Sequence, residues 1–165
     1  MAVVIKKEYV YLGVGFLSVT VVGTIAILLA SSKSKIDTSK FDSPDIPGSG
    51  KCIDKTFLKM LQQVQKKTGY PIFDWINSGA RSAYWNSRVG GVRSSAHLIP
   101  TCKAADIGFR NSTIRDNIVK AAREVGFKRI GIGSNFIHLD NDSTKKQYVA
   151  WGYPAGSPPP YNPFA

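Results

Sequence analysis

At 165 residues, with 43% apolar and 20% charged side chains, the chain can build one modest domain with a real core but not two. That composition excludes a long disordered chain and a collagen-like one, and two cysteines are too few for a disulfide-built scaffold. Only two histidines accompany them, so a multi-zinc-finger array is excluded and a metal site has to be made from very few ligands.

The first predicted element is a membrane span. Every residue from Tyr9 to Ser32 is uncharged, and most are Val, Leu, Ile, Gly, Ala or Phe. Roughly 20 such residues, rising about 1.5 Å each, cross a hydrocarbon core of about 30 Å. Tyr9 to Ala30 meets that length, with Lys6, Lys7, Lys33 and Lys35 at its ends. The competing reading is a cleaved signal peptide, whose apolar stretch usually runs to only about 7 to 15 residues, although Ala30-Ser31-Ser32 supplies the small residues that cleavage needs. The length favours a retained anchor. Lysines on both sides leave the orientation undecided by charge; the rest of the chain is placed outside the cytoplasm, in a cell envelope or a membrane-containing virion, on the functional grounds below.

Residues 1–32 are therefore read as the anchor and 33–50, rich in Ser, Lys, Asp, Pro and Gly, as a flexible linker. A folded domain is expected over 51–151. All but five of the basic residues and all but four of the acidic ones lie from Lys51 onward, so nearly all of the net charge of +11 belongs to it.

Within the domain, Phe57, Leu61 and Val64 recur at helical spacing, with Asp54 placed to cap and Gly69 to end the helix. Short strand-like runs follow at Pro71 to Trp75 and Ala104 to Phe109. A second helix is predicted from Ile114, Ile118, Ala122 and Val125, closed by Gly126, and further strands at Arg129 to Ile132, Phe136 to Asp140 and Gln147 to Trp151. Helices and strands mixed without βαβ alternation predict an α+β fold, a small antiparallel sheet with flanking helices. The tail, 152–165, carries five prolines and is read as an extended appendage, either a docking strap or an unstructured end.

Both histidines fall in this domain with a carboxylate close by in sequence: Asp106 after His97, and Asp140 two residues after His138. His97 ends a Ser- and Gly-rich loop, Asp106 lies on a strand-like run, and on a strand His138 and Asp140 face one side. Two neutral imidazoles and one carboxylate leave a divalent zinc with residual positive charge and an open fourth position. That is the pattern of a catalytic site rather than a closed structural one, with activated water as nucleophile.

Five motifs then appear in order: Ser78-Gly79-Ala80-Arg81-Ser82; Asn86 with Val89-Gly90-Gly91; Ser94 to His97; Ala104-Ala105-Asp106-Ile107; and Phe136-Ile137-His138-Leu139-Asp140. Together they resemble the M15 zinc peptidases, which include D-Ala-D-Ala carboxypeptidases and phage endolysin peptidases that cut peptidoglycan stem peptides. The resemblance runs from about Cys52 to Trp151. It implies an M15 peptidase-like fold, zinc held by His97, Asp106 and His138, and Arg81 on the substrate carbonyl or carboxylate, stabilising the oxyanion. Ser95, in the loop before His97, is a further candidate substrate contact.

Two departures stand out. The link Leu98 to Lys103 is longer than the family's, with Cys102 near the usual glycine, so the ligand loop must bulge. Asn135 and Phe136 occupy the positions where branches of the family carry a Glu or His base, and neither serves as a base at neutral pH. Asp140, in a His-x-Asp ending, is the remaining candidate for general base; the competing readings make it a carboxylate orienting the metal site or a turn-former ahead of Asn141 and Asp142. Cys52 and Cys102 have three readings: a disulfide outside the cytoplasm, inert thiols in a reducing compartment, or Cys102 as a metal ligand.

The expected function is a membrane-anchored zinc metallopeptidase that hydrolyses peptidoglycan amides in wall remodelling, or in viral lysis or entry. Its expected partners are peptidoglycan and, through the N-terminal helix, a lipid membrane. Nucleic acid is not an expected partner, because the basic residues are scattered and no nucleic-acid motif accompanies them. The alternative is an inactive peptidoglycan-binding or structural module that keeps the fold.

Overall fold

Asp54 starts the first helix by accepting a hydrogen bond from Phe57 N–H at 2.8 Å, and Gly69 ends it in the left-handed conformation. This helix, α1 (Lys55–Thr68), buries Phe57, Leu61 and Val64. The computed structural model describes residues 36–165 apart from Ala155. The membrane span expected at 9–30 lies outside the described residues, among which no helix is long and apolar enough to cross a membrane.

The chain next makes a 3-10 turn over Ile72–Trp75, where a strand is expected from the apolar run. Pro71, with its restricted φ, opens the turn: its carbonyl accepts from Asp74 N–H at 3.0 Å. Extended backbone begins only at β1 (Ile76–Ser78). A short helix absent from the sequence reading, α2 (Ala83–Arg88), is capped by the Ser82 hydroxyl. Then come β2 (Ala104–Gly108), α3 (Ser112–Val125), β3 (Arg129–Ile132), β4 (Phe136–Asp140) and β5 (Val149–Gly152).

The strands form one sheet in the order β1-β2-β4-β3-β5. The expected antiparallel sheet is in fact mixed, because β5 runs parallel to β3. Asp140 and Val149 are both in register with Arg129, so the link from β4 to β5 stays at one end of the sheet and simply passes around β3. Asp142 shapes that link, accepting from both the backbone and the hydroxyl of Thr144.

Alternation along the strands divides the sheet into two faces. Ala105, Ile107, Ile130, Ile132, Ile137 and Leu139 join the side chains of α1 and α3 in one core, where Phe57 and Phe127 meet edge to face at 5.7 Å. The other face carries a row of directly paired residues, Asp106, His138, Gly131 and Trp151, one from each of β2, β4, β3 and β5.

The segment read as a linker is corrected from Ile36 onward. Ile36 to Ala165 form one compact unit, and Phe41 is fully buried in the core. The Phe41 carbonyl accepts from Ala80 N–H at 2.8 Å, and a Cβ on Gly79 would lie 2.5 Å from Phe41 Cβ. Glycine is required at 79 by this close approach. The tail is likewise packed: Tyr161 and Phe164 lie against the core, and Gly152 N–H donates to the Ser157 carbonyl at 2.8 Å.

Cys52 and Cys102 are joined as a disulfide, with Cα atoms 5.8 Å apart, which overturns the reading of Cys102 as a metal ligand. The bridge ties the segment just before α1 to the loop after His97. Asp54 N–H donates to the Cys102 carbonyl at 3.0 Å beside it.

Candidate metal centre

Asp106 and His138 stand side by side because β2 and β4 pair in that register, and His97 reaches them from the loop above the sheet. A short bridge holds that loop: Arg81 N–H donates to the His97 carbonyl at 2.8 Å, and Ile99 N–H to the Arg81 carbonyl at 3.0 Å. His97 Nε2 lies 3.0 Å from His138 Nδ1 and 3.3 Å from Asp106 Oδ1, and His138 Nδ1 lies 3.0 Å from that same oxygen. All three residues are buried.

The second nitrogen of each ring sets its tautomer. His97 Nδ1 lies 2.6 Å from the Gly79 carbonyl, which only accepts, so the proton sits on Nδ1 and the Nε2 lone pair faces the cluster. His138 Nε2 lies 3.0 Å from Asp140 Oδ2 and donates to it, which turns the Nδ1 lone pair inward. Three lone-pair donors therefore converge. Ligands on a tetrahedral zinc, bonded at about 2.0 to 2.1 Å, are separated by about 3.3 Å, and the observed triangle of 3.0, 3.0 and 3.3 Å fits that donor set.

Burial and local charge divide the titrations. Burial of His97 outweighs the pull of Asp106 and lowers its pKa, whereas for His138 burial is outweighed by the carboxylates of Asp106 and Asp140 on either side of the ring, and its pKa rises. Burial pushes Asp106 up, but the ring nitrogens of His138 and His97, 3.0 and 3.3 Å from its Oδ1, hold it well below the usual carboxylate range. Asp140 follows the same logic through His138 and Arg129.

Arg81 is at the site, paired with Asp106 Oδ2 and held by Ser78 Oγ at 2.9 Å from its Nε. Ser95 is not aimed at the cluster. Its hydroxyl accepts from His97 N–H at 3.3 Å and braces the ligand loop from within.

The assignment of Asp140 as general base is corrected by its position. It is 1% exposed and lies behind His138, away from the converging donors. Both oxygens are occupied, by Arg129 Nε at 2.8 and 3.1 Å, by Asp142 N–H and by His138. It orients the imidazole.

Three residues that the sequence reading passed over complete the surroundings. Arg129 sits directly opposite Asp140 on β3, a pairing visible only once the register is known. The Trp151 ring lies 5.3 Å from that of His138, and the Tyr153 ring meets that of Phe136 at 4.7 Å, tilted by 56°. The alternation Val149, Trp151, Tyr153 carried the signal for these aromatics, but it runs into the proline-rich tail.

A search of curated proteins finds no match to the chain. A family model described as Peptidase M15 matches residues 29–140, which takes in His97, Asp106 and His138 as well as the packed N-terminal segment. With more than half of its length covered, the chain belongs to the peptidase M15 family, whose members are typically zinc-dependent.

Proposed function

We propose that this protein is a zinc peptidase that hydrolyses amide bonds in peptidoglycan stem peptides while tethered to a membrane by residues 9–30. The observation that carries the reading is the convergence of the His97, His138 and Asp106 donors within 3.0 to 3.3 Å. Bound there, zinc supplies a Lewis acid that polarises the scissile carbonyl and acidifies water. The chain's own groups do the rest. The Gly79 carbonyl and Asp140 hold the ring N–H groups so that both imidazoles stay fixed in the donating tautomer. Arg81, anchored on Asp106 and Ser78, brings a guanidinium to the edge of the site, where stabilising the developing oxyanion contributes on the order of 3 kcal/mol. The water oxygen bonds to the acyl carbon, the C–N bond breaks, and the amine departs with one water proton while the other passes to solvent.

The finer parts rest on separate features. The uncharged run between lysines supports the tether, and net positive charge suits an anionic wall polymer. The Cys52–Cys102 disulfide supports a domain outside the cytoplasm.

One observation favours a second reading, an inactive binding module. Asn135 and Phe136 stand where relatives carry a base, and Asp140 is withdrawn behind His138. One experiment separates the two: zinc content of the full-length protein by elemental analysis, paired with mass spectrometry of purified muropeptides before and after incubation. One zinc per chain with a new cleaved product supports the peptidase and names its bond. Zinc without cleavage favours the binding module, and absence of zinc removes the site.

A further inference from the structure

A glycine in the interior of a strand weakens it and marks a place where something must come close. Gly131 is such a residue: it is buried in β3, directly opposite His138 and beside Trp151. A Cβ there would point to the metal face and meet Trp151 Cε2 and Nε1 at 2.8 Å and Tyr153 Cε2 at 2.9 Å. The missing side chain admits two aromatic rings onto the face that carries Asp106 and His138. Phe136 fixes the Tyr153 ring from the side at 4.7 Å, yet Tyr153 is 37% exposed, so the ring is both held and open to a ligand.

The row across the sheet also fixes the layout. Arg81 binds Asp106 at the β2 end, the Tyr153 ring edge next to the hydroxyl lies over β3, and His138 stands between them. A substrate carbonyl brought to the metal centre thus has a cation on one side and a phenol on the other. We propose that Tyr153 is a catalytic residue of this site, its hydroxyl donating a hydrogen bond to the substrate carbonyl oxygen on the side opposite Arg81. The proposal rests on the peptidase reading above. An ordinary phenol ionises only at about 10, and burial raises Tyr153 further, so its hydroxyl remains a donor throughout the working range of a hydrolase. A neutral donor costs less to bury than a second cation, and its bond strengthens as the carbonyl oxygen gains charge.

The test compares the zinc-loaded full-length protein with Tyr153→Phe, which keeps the ring against Phe136 and removes only the hydroxyl. Two readouts are taken: hydrolysis of a stem pentapeptide, and affinity for a phosphinate analogue of the tetrahedral species by calorimetry. The expected result is a kcat about 10²-fold lower with KM little changed, weaker binding of the phosphinate, and unchanged zinc affinity and Tm. Equal kcat and equal phosphinate affinity in the two proteins overturn the proposal. So does a loss of activity that tracks loss of zinc, which would make Tyr153 a structural residue. A wild-type protein that cleaves nothing overturns the peptidase reading instead, and phosphinate affinity then decides alone: weaker binding by Tyr153→Phe keeps the donor role, while equal binding, or none by either protein, removes it.

Discussion

Asp140 Oδ2 lies 3.0 Å from His138 Nε2, on the side of the imidazole turned away from His97 and Asp106. A carboxylate in that place raises the basicity of the ring and holds its direction, and its removal acts first on metal affinity. Asp140→Asn is therefore expected to weaken zinc binding about 10- to 100-fold while sparing kcat at saturating zinc. A general base would show the reverse, a loss of about 10² to 10⁴ in rate at full occupancy. Chelator competition and kinetics on the same samples distinguish the two.

Arg129 is the partner on which Asp140 depends. Their side chains are 12% and 1% exposed, and Arg129 also lies over the Trp151 ring at 5.3 Å and donates to the Lys146 carbonyl. Arg129→Leu leaves a buried carboxylate without its cation, and denaturant unfolding is expected to show a loss of about 3 to 5 kcal/mol. A loss below about 1 kcal/mol, the range of an exposed pair, would contradict the burial.

The disulfide spans 50 residues of sequence. Closing a loop of that length in the unfolded chain contributes about 4 kcal/mol by chain entropy. Replacing Cys52 and Cys102 together by Ser is expected to lower stability by up to that amount. Zinc affinity should fall as well, because the bridge anchors the loop that presents His97. An unchanged zinc dissociation constant in the folded double variant would show that the Arg81 bridge suffices.

Asp54 links helix capping to acid stability. Burial raises its pKa, but the Phe57 N–H, Asn141 and Lys103 together lower it below the ordinary value. A lowered folded pKa gives stabilisation that is present above the unfolded value, about 3.9, and is lost as pH falls through the folded one. Asp54→Ala is therefore expected to cost about 1 kcal/mol at neutral pH through the lost cap. The difference from wild type should shrink as the pH is lowered below about 4. Thermal unfolding from pH 2 to 7 measures both.

The parts of the fold legible in the sequence are those with a period. α1 and α3 declare themselves by apolar spacing and by their caps, β3 and β4 by short apolar runs at the boundaries observed, and β2 by a run that ends one residue earlier than expected, at Gly108. Asp106 and His138 follow from those strands. What escaped has no period to read. α2 is six residues long, and Ile36 to Gly50 is held through Phe41, a single aromatic in a polar stretch. Asp140 was found but misassigned, because residues two apart on a strand share a face without revealing which of them stands behind the other. The antiparallel expectation failed at β5, since strand direction depends on where a loop returns and not on the strand's own residues.

The two segments that read as unstructured occupy complementary places. Phe41 and its neighbours lie against the chain just after β1, and Gly152, at the end of β5, is closed off by the backbone of Ser157 and Pro158. β1 and β5 are the two outer strands of the sheet. Exposed outer strands recruit other chains through their unpaired amides, and proline, which donates none, is a poor template for such recruitment. These two packed segments thus act as gatekeepers against sheet-to-sheet association, and trimming the chain to its ligand-bearing strands is expected to make the domain aggregation-prone.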